Sequence, residues 1–135
     1  MASTPSFTAS YEKVGITLPS APIISLNLLK PGSESSIQEK FILDTGADQS
    51  CITFDIFKRL DLEYFGDAAV NVGGITGRSR WRKTAVQIET PFGFNKIVEV
   101  LINPQSDDNI VGRELLNRWK ILFDGPGEQY TISVP

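Results

Sequence analysis

Histidine is absent from the 135-residue chain. Its absence excludes Ser-His-Asp and Cys-His catalysis, and any metal site built on imidazole. Cysteine occurs once, at Cys51. No disulfide can close within the chain, and no thiolate cluster can hold zinc. Long apolar runs are missing too. The most apolar stretches, near Ile23–Leu29 and Ile97–Ile102, fall far short of the roughly 20 residues that cross a bilayer as a helix. Met1–Tyr11 carries neither the basic cluster nor the apolar stretch of a signal peptide. A soluble, unexported, cytoplasmic protein is the expectation, released or not from a longer precursor. Charge is nearly balanced, with 13 Lys and Arg against 16 Asp and Glu, a net −3. That gives no general pull toward nucleic acid or anionic membrane.

What is present fits one ordinary domain. Apolar residues make up 41% of the chain, a normal globular share. Residues 1–12 read as a flexible or extended N-terminal segment, and 13–135 as a single domain. Strand patterns dominate. Ile23–Leu28 is a strand, followed by a turn at Lys30–Ser33. Lys40–Leu43 is a second strand with a doubly buried end. Phe54, Ile56, Phe57 and Leu60 predict a short helix, capped by Thr53 or Asp55. Ala69–Val72 and Arg78–Arg82 flank a glycine-rich hairpin tip. Thr84–Glu89 and Lys96–Ile102 form another hairpin around Pro91 and Gly93. Leu115, Leu116 and Trp119 sit at helical spacing, and Tyr130–Val134 alternates as a last strand.

One segment carries chemistry. Asp44 stands where an apolar strand runs into Asp44-Thr45-Gly46-Ala47-Asp48. Gly46 permits positive φ and close backbone approach. Thr45 adds a hydroxyl that both donates and accepts. Such a turn mounts a carboxylate that is rigid yet reachable. Alone, the motif is equally a strand end with a local Asx turn.

Phe41-Ile42-Leu43-Asp44-Thr45-Gly46-Ala47-Asp48 resembles the active-site strand and loop of retropepsin-like aspartic proteases. Ile110-Val111-Gly112-Arg113-Glu114-Leu115-Leu116 resembles that family's second signature. Gly73-Gly74-Ile75-Thr76-Gly77 lies between them, where the family keeps its flap. The resemblance runs over roughly residues 22–134. It implies a β-dominated acid protease fold: a closed barrel with a glycine-rich flap and one or two short helices, one lobe per chain.

The resemblance implies a peptidase with Asp44 as its catalytic carboxylate. Such chemistry needs two carboxylates about 3 Å apart that share one proton. The chain holds one Asp-Thr-Gly, since Phe123-Asp124-Gly125 lacks the hydroxyl residue. The second aspartate must then come from a second copy, in a twofold homodimer acting on a peptide or polyprotein substrate. By the same resemblance, Thr45 bonds across the dimer, and Gly46 and Ala47 contact substrate. Asp48 lines the substrate site and pairs with Arg113. Gly73, Gly74, Ile75, Thr76 and Gly77 close over substrate as a lid. No metal or cofactor is implied.

Departures from the family pattern are specific. Glu114 stands where Asn or Asp is usual. The stretch from Asp48 to the flap is long and holds a helix. The N-terminal tail does not read as an interface strand, so Tyr130–Val134 is the expected one. Arg78, Arg80 and Arg82 alternate on one strand face beside Lys83. A solvated face is the simpler reading of that run, and a nucleic-acid contact the sharper one. Cys51 reads as a buried small hydrophobe or an oxidation switch. Trp81 reads as a prop beside the flap, and Trp119 as core. Against the peptidase stands a catalytically inactive dimerisation or peptide-binding module on the same fold.

Overall fold

The computed structural model describes residues 6–74 and 77–135. Ile75 and Thr76, at the expected flap tip, lie outside the described residues, as do Met1–Pro5.

Twelve strands and two short helices follow one another along the described chain. A short antiparallel pair, β2 (Glu12–Lys13) with β3 (Ser20–Ala21), precedes β4 (Ile23–Leu29). β4 pairs antiparallel with β5 (Ser36–Leu43) over seven residues, from Ile23↔Ile42 to Leu29↔Ser36. β5 then pairs parallel with β10 (Ile110–Val111). β10 touches β6 (Cys51–Thr53), and β6 pairs parallel with β9 (Asn95–Asn103). β9 pairs with β8 (Gly77–Glu89). β8 returns to β4 through Asn27↔Glu89, Leu28↔Ile88 and Leu29↔Gln87. The six strands β4, β5, β10, β6, β9 and β8 thereby form a closed ring. Closure leaves those strands no free edge in this region.

Alternation explains the filling of the ring. Ile24, Leu26 and Leu28 of β4 are buried, while Asn27 is exposed. Val86 and Ile88 of β8, and Val98, Val100 and Ile102 of β9, point to the same interior. Each such side chain contributes about 1.5–3 kcal/mol on burial. α1 (Phe54–Arg59) lies against this core through Ile56 and Phe57. Thr53 is its N-cap, its hydroxyl accepting from the Ile56 amide at 3.3 Å. Asp55 instead faces Arg59 one turn on, at 3.3 Å.

β8 is one long strand, not the return arm of one hairpin and the first arm of another. Its first half pairs with β7 (Tyr64–Gly74) in register from Ala69↔Arg82 to Gly74↔Gly77. The register slips between Tyr64 and Ala69. Arg82 spans that irregularity: its guanidinium lies 3.6 Å from the Tyr64 ring centroid and donates to the Gly66 carbonyl at 2.9 Å. This member of the arginine run is folded onto the protein.

The termini make a separate three-stranded sheet. β12 (Gln129–Ser133) lies between β1 (Ser6–Ser10) and β11 (Lys120–Asp124), all antiparallel. Tyr130 and Ile132 are buried, and the Tyr130 hydroxyl donates to the Ile23 carbonyl at 2.7 Å. Burial, with the Glu12 charge adding, pushes that phenol up to about 12. This corrects the expectation for Tyr130–Val134. Both edges of β12 are occupied by its own chain, so it offers no edge to a second copy.

Candidate active site

Asp44 follows directly on β5, and its amide donates to the Val111 carbonyl at 3.0 Å. The loop after it turns tightly. The Ala47 amide donates to the Asp44 carbonyl at 3.2 Å, and the Gly46 amide to Asp44 Oδ1 at 2.9 Å. One carboxylate oxygen is thereby held by the loop's own backbone. Gly46 does not use the left-handed region. Its value here is size, since a Cβ would sit 3.2 Å from Asp44 Oδ1. Thr45 and Gly46 are exposed, and Asp44 is half-buried.

α2 (Arg113–Leu116) anchors this loop from behind. The Arg113 amide donates to the Ala47 carbonyl at 2.9 Å, and its Nη1 to the Thr45 carbonyl at 3.1 Å. Its Nη2 donates to Asp48 Oδ1 in an ion pair. Both groups are substantially exposed, so the pair fixes geometry more than it adds stability.

A second set of bonds, absent from the sequence reading, joins the same two segments. Both Glu114 carboxylate oxygens accept from the Ser50 amide, at 2.8 and 2.9 Å. The Ser50 hydroxyl accepts from the Gly112 amide at 2.8 Å. Ser50 is almost wholly buried, so its amide needs this acceptor. The departure at position 114 thus has a physical reason: the longer Glu reaches a buried N–H. Glu114→Ala is expected to cost about 1–3 kcal/mol, with Glu114→Gln losing less because it keeps an acceptor. Urea unfolding measures both.

Cys51 follows Ser50 and is buried. Burial pushes its thiol up to about 11, with the charges of Asp108, Glu114 and Asp44 adding, against a lowering hydrogen bond from the backbone at Ile110. A thiol held neutral is a poor nucleophile, so the apolar reading of Cys51 fits its surroundings better than the switch.

Across from the loop stands the β7–β8 hairpin. Asp44, Gly46, Ala47, Asp48, Val70, Asn71, Val72, Gly73 and Trp81 line one cleft of about 350 Å³. Gly74 and Gly77 pair across the hairpin beyond them. Val70 faces Trp81 in the ladder. The Trp81 indole nitrogen is buried with no hydrogen-bond partner among the described residues. Trp119 is buried elsewhere, edge-on to Phe92 and Phe94 at 4.9 and 5.3 Å. The arrangement sets a carboxylate on a rigid loop at the floor of a groove, with a strand pair along its wall. Extended peptides add to such walls by backbone hydrogen bonds.

A family model described as retroviral aspartyl protease matches residues 20–124. Among solved structures, the chain is similar to an EIAV protease complexed with the inhibitor HBY-793. The two are 24% identical, with a TM-score of 0.58 over 77% of this chain and 92% of that one. No curated protein matches.

Proposed function

The chain belongs to the retroviral aspartyl protease family, and from that premise we propose that it is an aspartic endopeptidase active as a homodimer. The observation that carries the reading is Asp44, held by the Gly46 amide at the floor of the cleft that Val70–Gly73 and Trp81 wall. Each copy supplies one Asp44, and the two share one proton.

The chemistry then follows from one acid and one base. The ionised carboxylate takes a proton from a water held between the pair. The water oxygen bonds to the scissile carbonyl carbon while the protonated carboxyl gives its proton to the carbonyl oxygen. The neutral tetrahedral adduct collapses as the carbon–nitrogen bond breaks. The leaving nitrogen takes one proton, and the dyad is left again with one. Asp48, Ala47 and the flap strands bind the peptide. Thr45, exposed on the loop, bonds across the twofold axis.

The test is cleavage of a diverse peptide mixture at high protein concentration, with products read by mass spectrometry. Cleavage that rises more than linearly with protein concentration supports the dimeric enzyme. Absence of cleavage at concentrations where sedimentation shows a dimer would overturn it in favour of a peptide-binding module.

Binding has its own reporter. The chain has two tryptophans, and Trp81 alone of them lines the cleft. A peptide seated there is expected to change intrinsic fluorescence, and Trp81→Phe is expected to abolish most of that change. Titration of an uncleaved substrate analogue checks both.

A further inference from the structure

β10 is short for what it holds. It has two residues, Ile110 and Val111, where strands usually run to about five or six. Yet it stands between β5 and β6, and the Val111 carbonyl holds the Asp44 amide. Its own pairings are Ile110↔Ile42 and Val111↔Leu43 on one side and Ile110↔Cys51 on the other.

Asn109 supplies the missing rungs. It directly precedes β10 and is 8% exposed. Its carbonyl accepts the Ile42 amide of β5 at 3.0 Å. Its side chain continues the ladder in both directions. Oδ1 accepts the Thr53 amide of β6 at 3.0 Å, and Nδ2 donates to the Lys40 carbonyl of β5 at 3.3 Å. The amide can sit only this way round, because a backbone N–H donates and a carbonyl accepts. β5 is thereby gripped at Lys40, Ile42 and Asp44 by Asn109 and Val111, and β6 is gripped at its last residue. An ionised Asp has no donor for such a bridge, and Leu has neither donor nor acceptor. Asn109 is not among the described residues that line the cleft, so it acts on Asp44 only through the strands.

We infer that Asn109 is a positioning residue for the Asp44 pair: by locking β10 to β5 and β6 it sets the height at which each carboxylate stands. This role rests on the homodimeric dyad of the proposed function. Two carboxylates share a proton only while they are about 3 Å apart. The closer the pair, the wider the pH range over which it holds one proton. A β5 end that slides on β10 carries its carboxylate out of that arrangement, and a shift of about 1 Å can cost about 100-fold in rate.

Asn109→Leu removes both side-chain bonds at nearly constant volume. Its kcat is expected to fall about 10- to 100-fold with KM within about threefold of wild type, and its pH–rate bell to narrow. Rates are taken where urea unfolding shows the variant fully folded. Ile88→Val, in the core of the ring, is the stability control: its unfolding midpoint is expected to fall while kcat and bell width stay. Asn109→Asp tests rescue. Protonated, its carboxyl donates and accepts as the amide does; ionised, it cannot donate to the Lys40 carbonyl. Its rate relative to wild type is expected to rise as pH falls. Hydrogen exchange reads position without activity. The Asp44 amide keeps its Val111 acceptor in the leucine variant, so a protection loss of at least about tenfold there, with β8–β9 amides unchanged, reports a displaced β10. Should the leucine variant fail to fold, the aspartate variant decides. Unchanged kcat and bell width, an effect confined to KM, or unchanged protection at Asp44 overturns the inference while leaving a measured peptidase standing. So does an aspartate variant whose relative rate is flat with pH, or which stays unfolded at acid pH. A wild type that cleaves nothing removes the peptidase reading, and the exchange arm still decides whether Asn109 holds Asp44 in place.

Discussion

Asp44→Asn is expected to remove peptide hydrolysis almost entirely, with a rate loss of about 10⁴-fold or more. A single positioned acid or base accounts for about 10²–10⁴ in rate. In a homodimer one substitution removes both groups at once. The amide keeps a side-chain oxygen, so the Gly46 amide retains its acceptor and the loop keeps its shape. Circular dichroism and urea unfolding should therefore match wild type. Asp44→Ala is a less clean variant, because it also takes away that acceptor. Mixing Asp44→Asn with wild type sharpens the result. Heterodimers hold one carboxylate and are expected to be inactive, so excess variant should suppress wild-type activity in proportion to the dimers it captures. Residual cleavage by pure Asp44→Asn at a tenth of the wild-type rate would remove Asp44 from the chemistry.

Gly112→Ala is expected to be the most damaging single-methyl change, costing about 2–4 kcal/mol. The reason is contact, not conformation, because Gly112 has an extended backbone with φ −94° and ψ −177°. A Cβ there would lie 2.6 Å from the Gln49 carbonyl carbon, 2.8 Å from its oxygen and 2.9 Å from the Ser50 nitrogen. All three atoms are backbone, so no side chain can swing away. The loop beginning at Asp44 or the start of α2 must move, and their shared hydrogen bonds must stretch. Thermal or urea unfolding reads the stability loss. Activity at a temperature where the variant is fully folded reads the displaced carboxylate separately. Gly125→Ala is the control, since a Cβ at Gly125 meets nothing within 4 Å and the residue lies outside the cleft.

Much of this was legible in the sequence because its signals are local. β4 alternates, and β5 ends in Phe41-Ile42-Leu43, with Phe41 and Leu43 buried at 1% and 4%, although Ile42 on the other face is only half-buried where burial on both faces was expected. Thr53 before an apolar, helix-spaced run marks the start of α1. Asp44-Thr45-Gly46 announces a tight turn after a strand, and the Gly46-to-Asp44 bond is that turn. What the sequence hid depends on partners distant along the chain. Glu114 looks like a solvated helix residue until Ser50 lies beside it. Arg82 looks like one more exposed arginine until the slip in β7 places the Tyr64 ring beneath it. The misjudged role of Tyr130–Val134 has the same origin. Its clean alternation identifies a strand, but only the fold shows β1 and β11 already on either side of it.

The bonds that hold the Asp44 loop have a kinetic side. Those from Arg113, Glu114 and Gly112 to the Thr45–Ser50 segment join residues 62 to 68 positions apart. The parallel pairings β5 with β10 and β6 with β9 span comparable distances along the chain. Closing such loops costs entropy before any contact repays it, and parallel pairing is slow for that reason. Local hairpins such as β4–β5 and β8–β9 have no such delay. The Asp44 loop is therefore expected to order late in folding, when the Gly112 segment arrives. During synthesis Asp44 leaves the ribosome long before the residues that shape it. A chain halted short of Gly112 carries Asp44 without the bonds from Gly112, Arg113 and Glu114 that hold its loop.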